Sequence, residues 1–491
     1  MSILTPTLSS EYLNFIDGQW VPSRNGQWIE VESPRNFEII AQVPRGDEKD
    51  IDDAVAAARR AFPAWRDTAP RARGRLLQQI GDVLEENVER IARIISAENG
   101  NAIKTQARGE VRYAVDVFRY FGSLASEAKG EQLPLNAHVL DYSRREPIGV
   151  VGAIVPWNAP VQLAAMKVAC ALATGNTLVL KAAEDAPLAV LEMAKICADF
   201  IPAGVLNVIV GYGTEAGEAL ITHPDVGKIS FTGSSAVGSR VMEAASDRIV
   251  PVSLELGGKN PQIVFPDADE DWVAQGVIAG MRFARQGQSC TAGSRLFVHR
   301  SIIDSFVPRL IEHLSKLKVG DPLHEDSDIG TIVSKKQFDR VCSYIEEGLQ
   351  QSEAKVVLGG KPPVDGPLSE GYFVEPTVFV GVDNQWRIAQ EEIFGPVLCV
   401  IPWEDEAEVI EMANDTSYGL SAFIWTNNLG SAIRTANAVE AGWVQVNQGG
   451  AQVLGQSYGG FKRSGIGREF SVEGMIEGFT QRKHISIDIS H

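Results

Sequence analysis

Three residue types in this chain could together carry out nucleophilic catalysis. Cys290 lies in RQGQSCTAGSRLF (Arg285 to Phe297), among small and polar residues. A thiol there is either a packing residue or a nucleophile with room around it. Glu255 lies in VSLEL (Val252 to Leu256). On a strand, Ser253 and Glu255 share one face, and Val252, Leu254 and Leu256 the other. A sheet covered on both faces makes an isolated carboxylate costly, and Gly257 and Gly258 follow directly. Glu255 is therefore a candidate general base, the alternative being a solvated glutamate. Asn158 stands between prolines in VPWNAP (Val155 to Pro160). Its amide either satisfies a local turn or donates to a developing oxyanion.

These residues need elements to hold them. Leu76, Leu77, Ile80, Val83, Leu84, Val88, Ile91, Ile94 and Ile95 recur at spacings of three and four, which predicts one long amphipathic helix stopped near Gly100. A helix is predicted near Ile51 to Phe62, and HVLDYSRR (His138 to Arg145) reads as an extended arm before Pro147. From Gly149 the runs GVVGAIV, TLVLK, LNVIVG, KISFTG and VSLELG alternate with helical stretches, predicting a parallel sheet covered by helices on both faces. A second α/β section follows from about Asn260 to Val446. HISIDIS (His484 to Ser490) alternates like a strand, its partner being either the arm or another subunit.

Two glycine-rich turns follow strands: Gly211-Tyr212-Gly213 with Gly217, and Phe231-Thr232-Gly233-Ser234 with Gly238. Neither fits GxGxxG, so each reads as an ordinary strand-to-helix turn or as a phosphate cradle. Lys181 ends the TLVLK strand with Glu184 just beyond, at the carboxyl end where α/β sheets bind ligands; a solvated lysine is the alternative. Composition assigns no role to EEIFGP (Glu391 to Pro396) or YGGFKRSGIGRE (Tyr458 to Glu469).

The chain's 491 residues call for two or three domains. Its apolar content of 44% fits a soluble globular protein, and the net charge of -18 argues against nucleic acid or a membrane as partner. The N-terminus MSILTPTLSSEYLNF carries no secretory pattern. The apolar stretch Val161 to Leu180 is interrupted by Gln162, Lys167 and Asn176, so it reads as buried helix and strand. Cys170, Cys197, Cys290, Cys342 and Cys399 are odd in number, scattered and without CxxC spacing, which predicts reduced thiols in the cytoplasm. The seven histidines are dispersed and no HExxH occurs, so no metal site is predicted.

In order along the chain stand VPWNAP, KAAE, FTGSSAVG, LELGGKNP, GQSCTAGSR, EEIFGP, NDTSYGLSA (Asn414 to Ala422), VQVN and GGFKRSGIGRE. With these motifs the chain resembles the NAD(P)-dependent aldehyde dehydrogenase superfamily over essentially its whole length. The resemblance implies an α/β fold of three parts. A Rossmann-like NAD-binding domain would take residues 1-128 and 148-257, and a catalytic α/β domain 258-463. A small β oligomerisation arm and C-terminal segment would take 129-147 and 464-491. A homodimer or homotetramer is implied. Cys290 would attack the aldehyde carbon, Asn158 and the Cys290 amide would hold the oxyanion, and Glu255 would activate water against the resulting thioester.

For the cofactor, the resemblance implies Lys181 and Glu184 at the adenine-side ribose, Ser234 at the pyrophosphate, Glu392 at the nicotinamide ribose and Phe394 beside the ring. Trp157, Gly213, Phe231 and Gly233 complete the implied site. A carboxylate at Glu184 repels a 2′-phosphate and favours NAD, while Ala182, in place of the family's usual proline, loosens the turn and keeps NADP open. At the small-molecule aldehyde pocket, Ala159, Met166 and Ala284 stand where the family often has aromatic residues, beside Tyr458 and the small Gln448-Gly449-Gly450 loop. A wide mouth for a bulky, aromatic or long-chain aldehyde follows unless other residues fill the space. Arg285 reads first as one half of a structural ion pair and second as an anchor for a substrate carboxylate. Acyl transfer to coenzyme A is disfavoured by Glu255, and a non-catalytic relative by the joint presence of Cys290, Glu255 and Asn158.

Overall fold

The apolar, β-branched runs VVGAI, TLVLKA, LNVIV, KISFT and VSLE become the strands Val150–Ile154, Thr177–Ala182, Leu206–Val210, Lys228–Thr232 and Val252–Glu255. All five run parallel in the computed structural model, which describes residues 5–490. Residues 1–4 and 491, at the ends of the first and last predicted segments, lie outside the described residues. The strand Val150–Ile154 is central, with Thr177–Ala182 on one side and Lys228–Thr232 on the other. Strand order therefore reverses at its carboxyl end, and crevices at such reversals are where doubly wound sheets take ligands. The loop carrying Asn158 leaves from one lip of this crevice, and the turn carrying Gly233 and Ser234 from the other.

Antiparallel strands close both edges of this sheet: Asn14–Ile16 with Gln19–Val21 beyond it on one side, Gly465–Ile466 on the other. The second of these brings residues from the end of the chain against Leu254 and Glu255. A seven-stranded sheet follows, in the order Lys355–Leu358, Thr377–Val380, Val397–Trp403, Arg295–His299, Pro261–Val264, Ser421–Trp425 and Trp443–Val446. Only its Lys355–Leu358 edge is antiparallel. Glu255 thus ends the last parallel strand of one sheet, Pro261 opens the next, and Cys290 lies just before Arg295–His299.

The arm is a two-stranded ladder from Thr480↔Pro147 to Asp488↔Val139, so the C-terminal strand pairs with the arm of its own chain. The single long helix predicted from Leu76 to Ile95 is two, Pro70–Glu86 and Val88–Asn99. The break falls at Asn87, whose backbone (φ -105°, ψ 8°) leaves the helix while its side-chain amide donates to Val83 O at 2.8 Å. Apolar spacing does not register such a break, because the stripe continues in phase across it.

The second helix ends at Gly100 in the left-handed region (φ 81°). This tight stop lets consecutive side chains do separate jobs. Glu98 accepts from the N–H groups of Leu188 and Ala189 at 2.6 and 2.9 Å, capping the helix Leu188–Ala198. Asn99 and Asn101 donate to the carbonyls of Trp157 and Asn158 at 3.2 and 3.3 Å. A Cβ at position 100 would lie 1.9 Å from Thr331 Oγ1. Gly100→Ala is expected to destabilise the protein by at least ~1–2 kcal/mol through the left-handed backbone alone, with activity falling as the Asn158 loop loses its supports. Urea unfolding checks this; an unchanged midpoint would show that the loop does not depend on the turn.

Candidate active site

Asn158 follows the central strand, and its helix, Pro160–Ala173, starts with proline at the first position. Residue 159 offers no capping side chain, and the Glu110 carboxylate instead accepts the Val161 N–H at 3.0 Å, where the helix dipole favours negative charge. Asn158 is buried, and its Nδ2 donates one proton to Gln288 O at 3.0 Å. The other amide proton has no acceptor among the described residues. Neither has the backbone N–H of Cys290, two residues beyond Gln288.

The Cys290 loop is held from below. Asn260 Nδ2 donates to the carbonyls of Cys290 and Ala292 at 2.8 and 2.9 Å, and its Oδ1 accepts the Ser421 N–H at 2.9 Å. The thiol is half-buried, and burial pushes it up to about 11. Tyr458 opposes this: its hydroxyl lies 3.6 Å from Cys290 Sγ, within reach of a sulfur hydrogen bond. Burial also holds the Tyr458 hydroxyl well above the ordinary tyrosine range, so it remains a donor as the thiol ionises. Its ring is fixed edge-on by Trp443 and Phe470, with centroids 6.0 and 5.0 Å away.

Glu255 is 5% exposed, and neither carboxylate oxygen has a hydrogen-bond partner among the described residues. Burial raises it well above the usual carboxylate range, the nearby Glu469 raises it further, and Lys167 works against both. Lys167 and Glu469 form a buried ion pair. Tyr458 and Glu469 are in turn joined by reciprocal backbone hydrogen bonds of 3.1 and 2.7 Å across the ends of YGGFKRSGIGRE. One hairpin thus delivers a hydroxyl to the Cys290 thiol and a carboxylate to the surroundings of Glu255.

Cys290, Asn158 and Glu255 line one cavity of about 710 Å³ with Trp157, Gly233, Ser234, Glu392 and Phe394. Ser234 caps the helix Ser235–Ser246 through Val237 N–H, with Gly233, Ser235 and Ala236 also on the wall. Glu392 Oε1 accepts the Gly258 N–H at 3.0 Å, and burial pushes its carboxyl up to about 7. Phe394 meets Trp157 edge-on at 5.3 Å. Its backbone is left-handed (φ 59°), a strain that Gln337 supports by donating to the Ile393 and Phe394 carbonyls at 3.1 and 2.9 Å.

Other predicted site residues lie off this wall. Phe231 is buried beneath Gly233, and Gly213 opens the short helical turn Gly213–Gly217 away from the cavity. Lys181 Nζ donates to Glu184 at 2.7 Å. Ala159 and Met166 are buried at 2% and 1% exposure and line neither this cavity nor a second one of about 500 Å³, which Ala284 and Arg285 do line. The ion pair read first for Arg285 is not formed: no carboxylate of the described residues pairs with it, and its Nε donates to Gln106 Oε1 at 3.2 Å. Lys336, Arg340 and Arg463 line the larger cavity without any sequence signal to single them out. Lys167 had such a signal, a lone charge inside an apolar helix, but its partner is 302 residues away.

Residues 20–485 match the aldehyde dehydrogenase family model. The chain belongs to the aldehyde dehydrogenase family. It is 41% identical over 463 residues to an aldehyde dehydrogenase of Vibrio cholerae serotype O1, covering 93% of this chain and 91% of that one. The NAD+ complex of an aldehyde dehydrogenase from Bacillus cereus matches it with a TM-score of 0.94 at 38% identity, covering 98% of this chain and 97% of that one. Betaine aldehyde dehydrogenase from Staphylococcus aureus, in complex with NAD+, matches with a TM-score of 0.94 at 36% identity, covering 98% and 95%. The fold is that of this family, and the protein is an oxidoreductase acting on aldehydes. Among the described residues, no helix is long and apolar enough to cross a membrane, and no group of three or more histidine, cysteine, aspartate or glutamate residues could hold a metal ion.

The Tyr458 contact gives a titration test for this aldehyde dehydrogenase. Without cofactor, alkylation of Cys290 by iodoacetamide is expected to keep accelerating above pH 9 as the thiol ionises toward about 11. Tyr458→Phe removes a donor to the thiolate, so the titration moves upward and alkylation at a given pH slows several-fold. Superimposable pH profiles for the two proteins would remove Tyr458 from the thiol's environment.

Proposed function

We propose that the protein oxidises an aldehyde to its carboxylic acid with NAD, through a thiohemiacetal and a thioester on Cys290. The observation that carries this reading is the set of unmade hydrogen bonds around one cavity. Among the described residues, Asn158 keeps a free amide proton, the Cys290 N–H has no acceptor, and both oxygens of Glu255 are unpartnered. Elsewhere such groups would destabilise the fold; beside a thiol they are donors awaiting an oxyanion and a base awaiting water.

The larger cavity suits a dinucleotide. A capped helix N-terminus at Ser234 with Lys336, Arg340 and Arg463 suits a pyrophosphate, the Glu392 carboxylate suits ribose hydroxyls, and Trp157 with Phe394 suits a planar ring. Glu184 supports NAD over NADP, since a second negative charge beside its carboxylate is unfavourable. When bound, the nicotinamide accepts the hydride released from the substrate carbon.

The Cys290 thiol gives up its proton to solvent, its sulfur bonds the aldehyde carbon, and the electron pair of the carbonyl double bond passes to the oxygen, which takes the negative charge. Asn158 Nδ2 and the Cys290 N–H hold that oxygen. Loss of hydride leaves a thioester. Glu255 then takes a proton from water, hydroxide adds to the acyl carbon, the carbon–sulfur bond breaks to give the acid and the thiolate, and Glu255 returns its proton to the sulfur. Because burial keeps Glu255 protonated above the usual range, its base form and the hydrolytic step gain as pH rises. In the same reading, the two-stranded arm, with Leu140 and Ile487 exposed on it, is where subunits pair.

Cys290→Ala is expected to abolish NADH formation while NAD still binds. Glu255→Gln should retain a first-turnover burst of NADH, with acid release slowed about 10²-fold or more, the scale of general-base catalysis. Rapid-mixing absorbance with product analysis checks both. Normal turnover in the cysteine variant would refute the thiol mechanism, and an unchanged steady state in the glutamine variant would remove Glu255 as the base.

A further inference from the structure

The second cavity, of about 500 Å³, has Ser289 and Thr291 on its wall, the two neighbours of the nucleophile. Its walls are mostly uncharged, with the amides of Gln106, Gln162, Gln275 and Gln452 among them. Three charged side chains line it: Arg282, Arg285 and Glu110. Their hydrogen bonds assign them different roles.

Arg282 is used up by the fold. Its guanidinium donates to Thr291 Oγ1 at 3.2 Å and to the carbonyls of Ala279, Gly449 and Gly450 at 3.3, 2.8 and 2.6 Å. It ties the Gln448-Gly449-Gly450 loop to the catalytic loop. Glu110 caps the helix behind Asn158 through Val161 N–H. Burial pushes Glu110 up to about 7 while the Arg285 charge works against that rise, so Glu110 offsets part of the positive charge in this cavity. Arg285 is spent on neither task. Of the five N–H donors of a guanidinium, only Nε has an acceptor among the described residues, the neutral amide oxygen of Gln106. No carboxylate of the described residues pairs with Arg285. Arg285 is half-buried, feels the Glu110 carboxyl across the cavity without forming an ion pair with it, and makes one hydrogen bond to a neutral amide, so its terminal nitrogens can still take an anion.

Building on the aldehyde-oxidising reading above, we propose that Arg285 receives a carboxylate carried at the far end of the substrate, so that the preferred substrates are ω-carboxylated aldehydes. The terminal guanidinium nitrogens present the paired N–H groups that a carboxylate takes side by side, and the glutamine amides around the cavity complete its hydrogen bonds. The unbranched chain between the two functional groups crosses the apolar wall formed by Ile278, Ala279, Ala284 and Leu317. A phosphate-terminated aldehyde would carry more charge than one free guanidinium offsets, and the planar fork favours a carboxylate over a tetrahedral anion.

The test compares straight-chain ω-carboxy aldehydes of increasing length with their methyl esters, following NADH. At the best length, the acid is expected to exceed its ester in kcat/KM by about tenfold or more, mainly through KM, the scale of a hydrogen bond to a charged group. Arg285→Met keeps the apolar stem and is expected to bring acid and ester within about twofold, while Arg285→Lys keeps an intermediate preference. A wild-type protein that does not distinguish acid from ester, or an Arg285→Met protein that keeps the preference, overturns the proposal. NADH formed from the esters alone would leave the aldehyde-oxidising reading standing while this one falls; NADH from no aldehyde would sink both. A second measurement needs no turnover. Linear dicarboxylates should protect Cys290 from iodoacetamide in the wild type and not in Arg285→Met, and equal protection in both would count against Arg285 as the anchor.

Discussion

Lys167 and Glu469 form an ion pair where almost no water reaches, the first at 0% and the second at 4% side-chain exposure. Removing two charges from water is expensive, and removing one partner of such a pair costs about 3–5 kcal/mol. The pair therefore constrains what surrounds it. The helix that follows Asn158 must present its one lysine to the end of the chain, and the segment Tyr458 to Glu469 must fold back to meet it. Once that closure is made, Gly465 and Ile466 pair with the strand bearing Glu255, and the cross-bonded Tyr458 arrives at the thiol. Cys290, Glu255 and Asn158 come from three separate stretches, and this closure holds the surroundings of the first two together.

The site is characterised by groups left incomplete. Polar atoms buried in proteins are nearly all bonded, yet here a carboxylate, an amide proton, a backbone N–H and most of a guanidinium are not. These ionisable groups are also pushed toward their neutral forms: Cys290 up to about 11, Glu392 to about 7, and Glu255 well above its usual range. Burial of charge is the shared cause. Cationic or hydrogen-bonding ligands that lower these values are correspondingly stabilised, so binding and ionisation are coupled in the cavity.

Much of the fold was legible because it rests on local patterns. Strand runs, glycine turns and amphipathic spacing each report on a few neighbouring residues, and the five parallel strands fall where the runs lie. The break at Asn87 was invisible because the apolar stripe keeps its phase there. Ala159 and Met166 suggested a wide pocket by the loss of large side chains, but they are packed into the helix core, and the open space lies beside Ala284 and Arg285. A small side chain implies a cavity only if its neighbours fail to fill it, and that is a property of packing.

Residue types and their order were enough to single out a thiol, a carboxylate and an amide, each at the end of a strand or beside one, with glycines close by. Partnership was settled only in three dimensions. Asn158 meets Gln288 across 130 residues, Cys290 meets Tyr458 across 168, and Lys167 meets Glu469 across 302. Arg285 forms no ion pair with a carboxylate of the described residues. Whether a charged group is structural or available depends on which hydrogen bonds it has already made, and those are made with residues that the linear order does not place beside it.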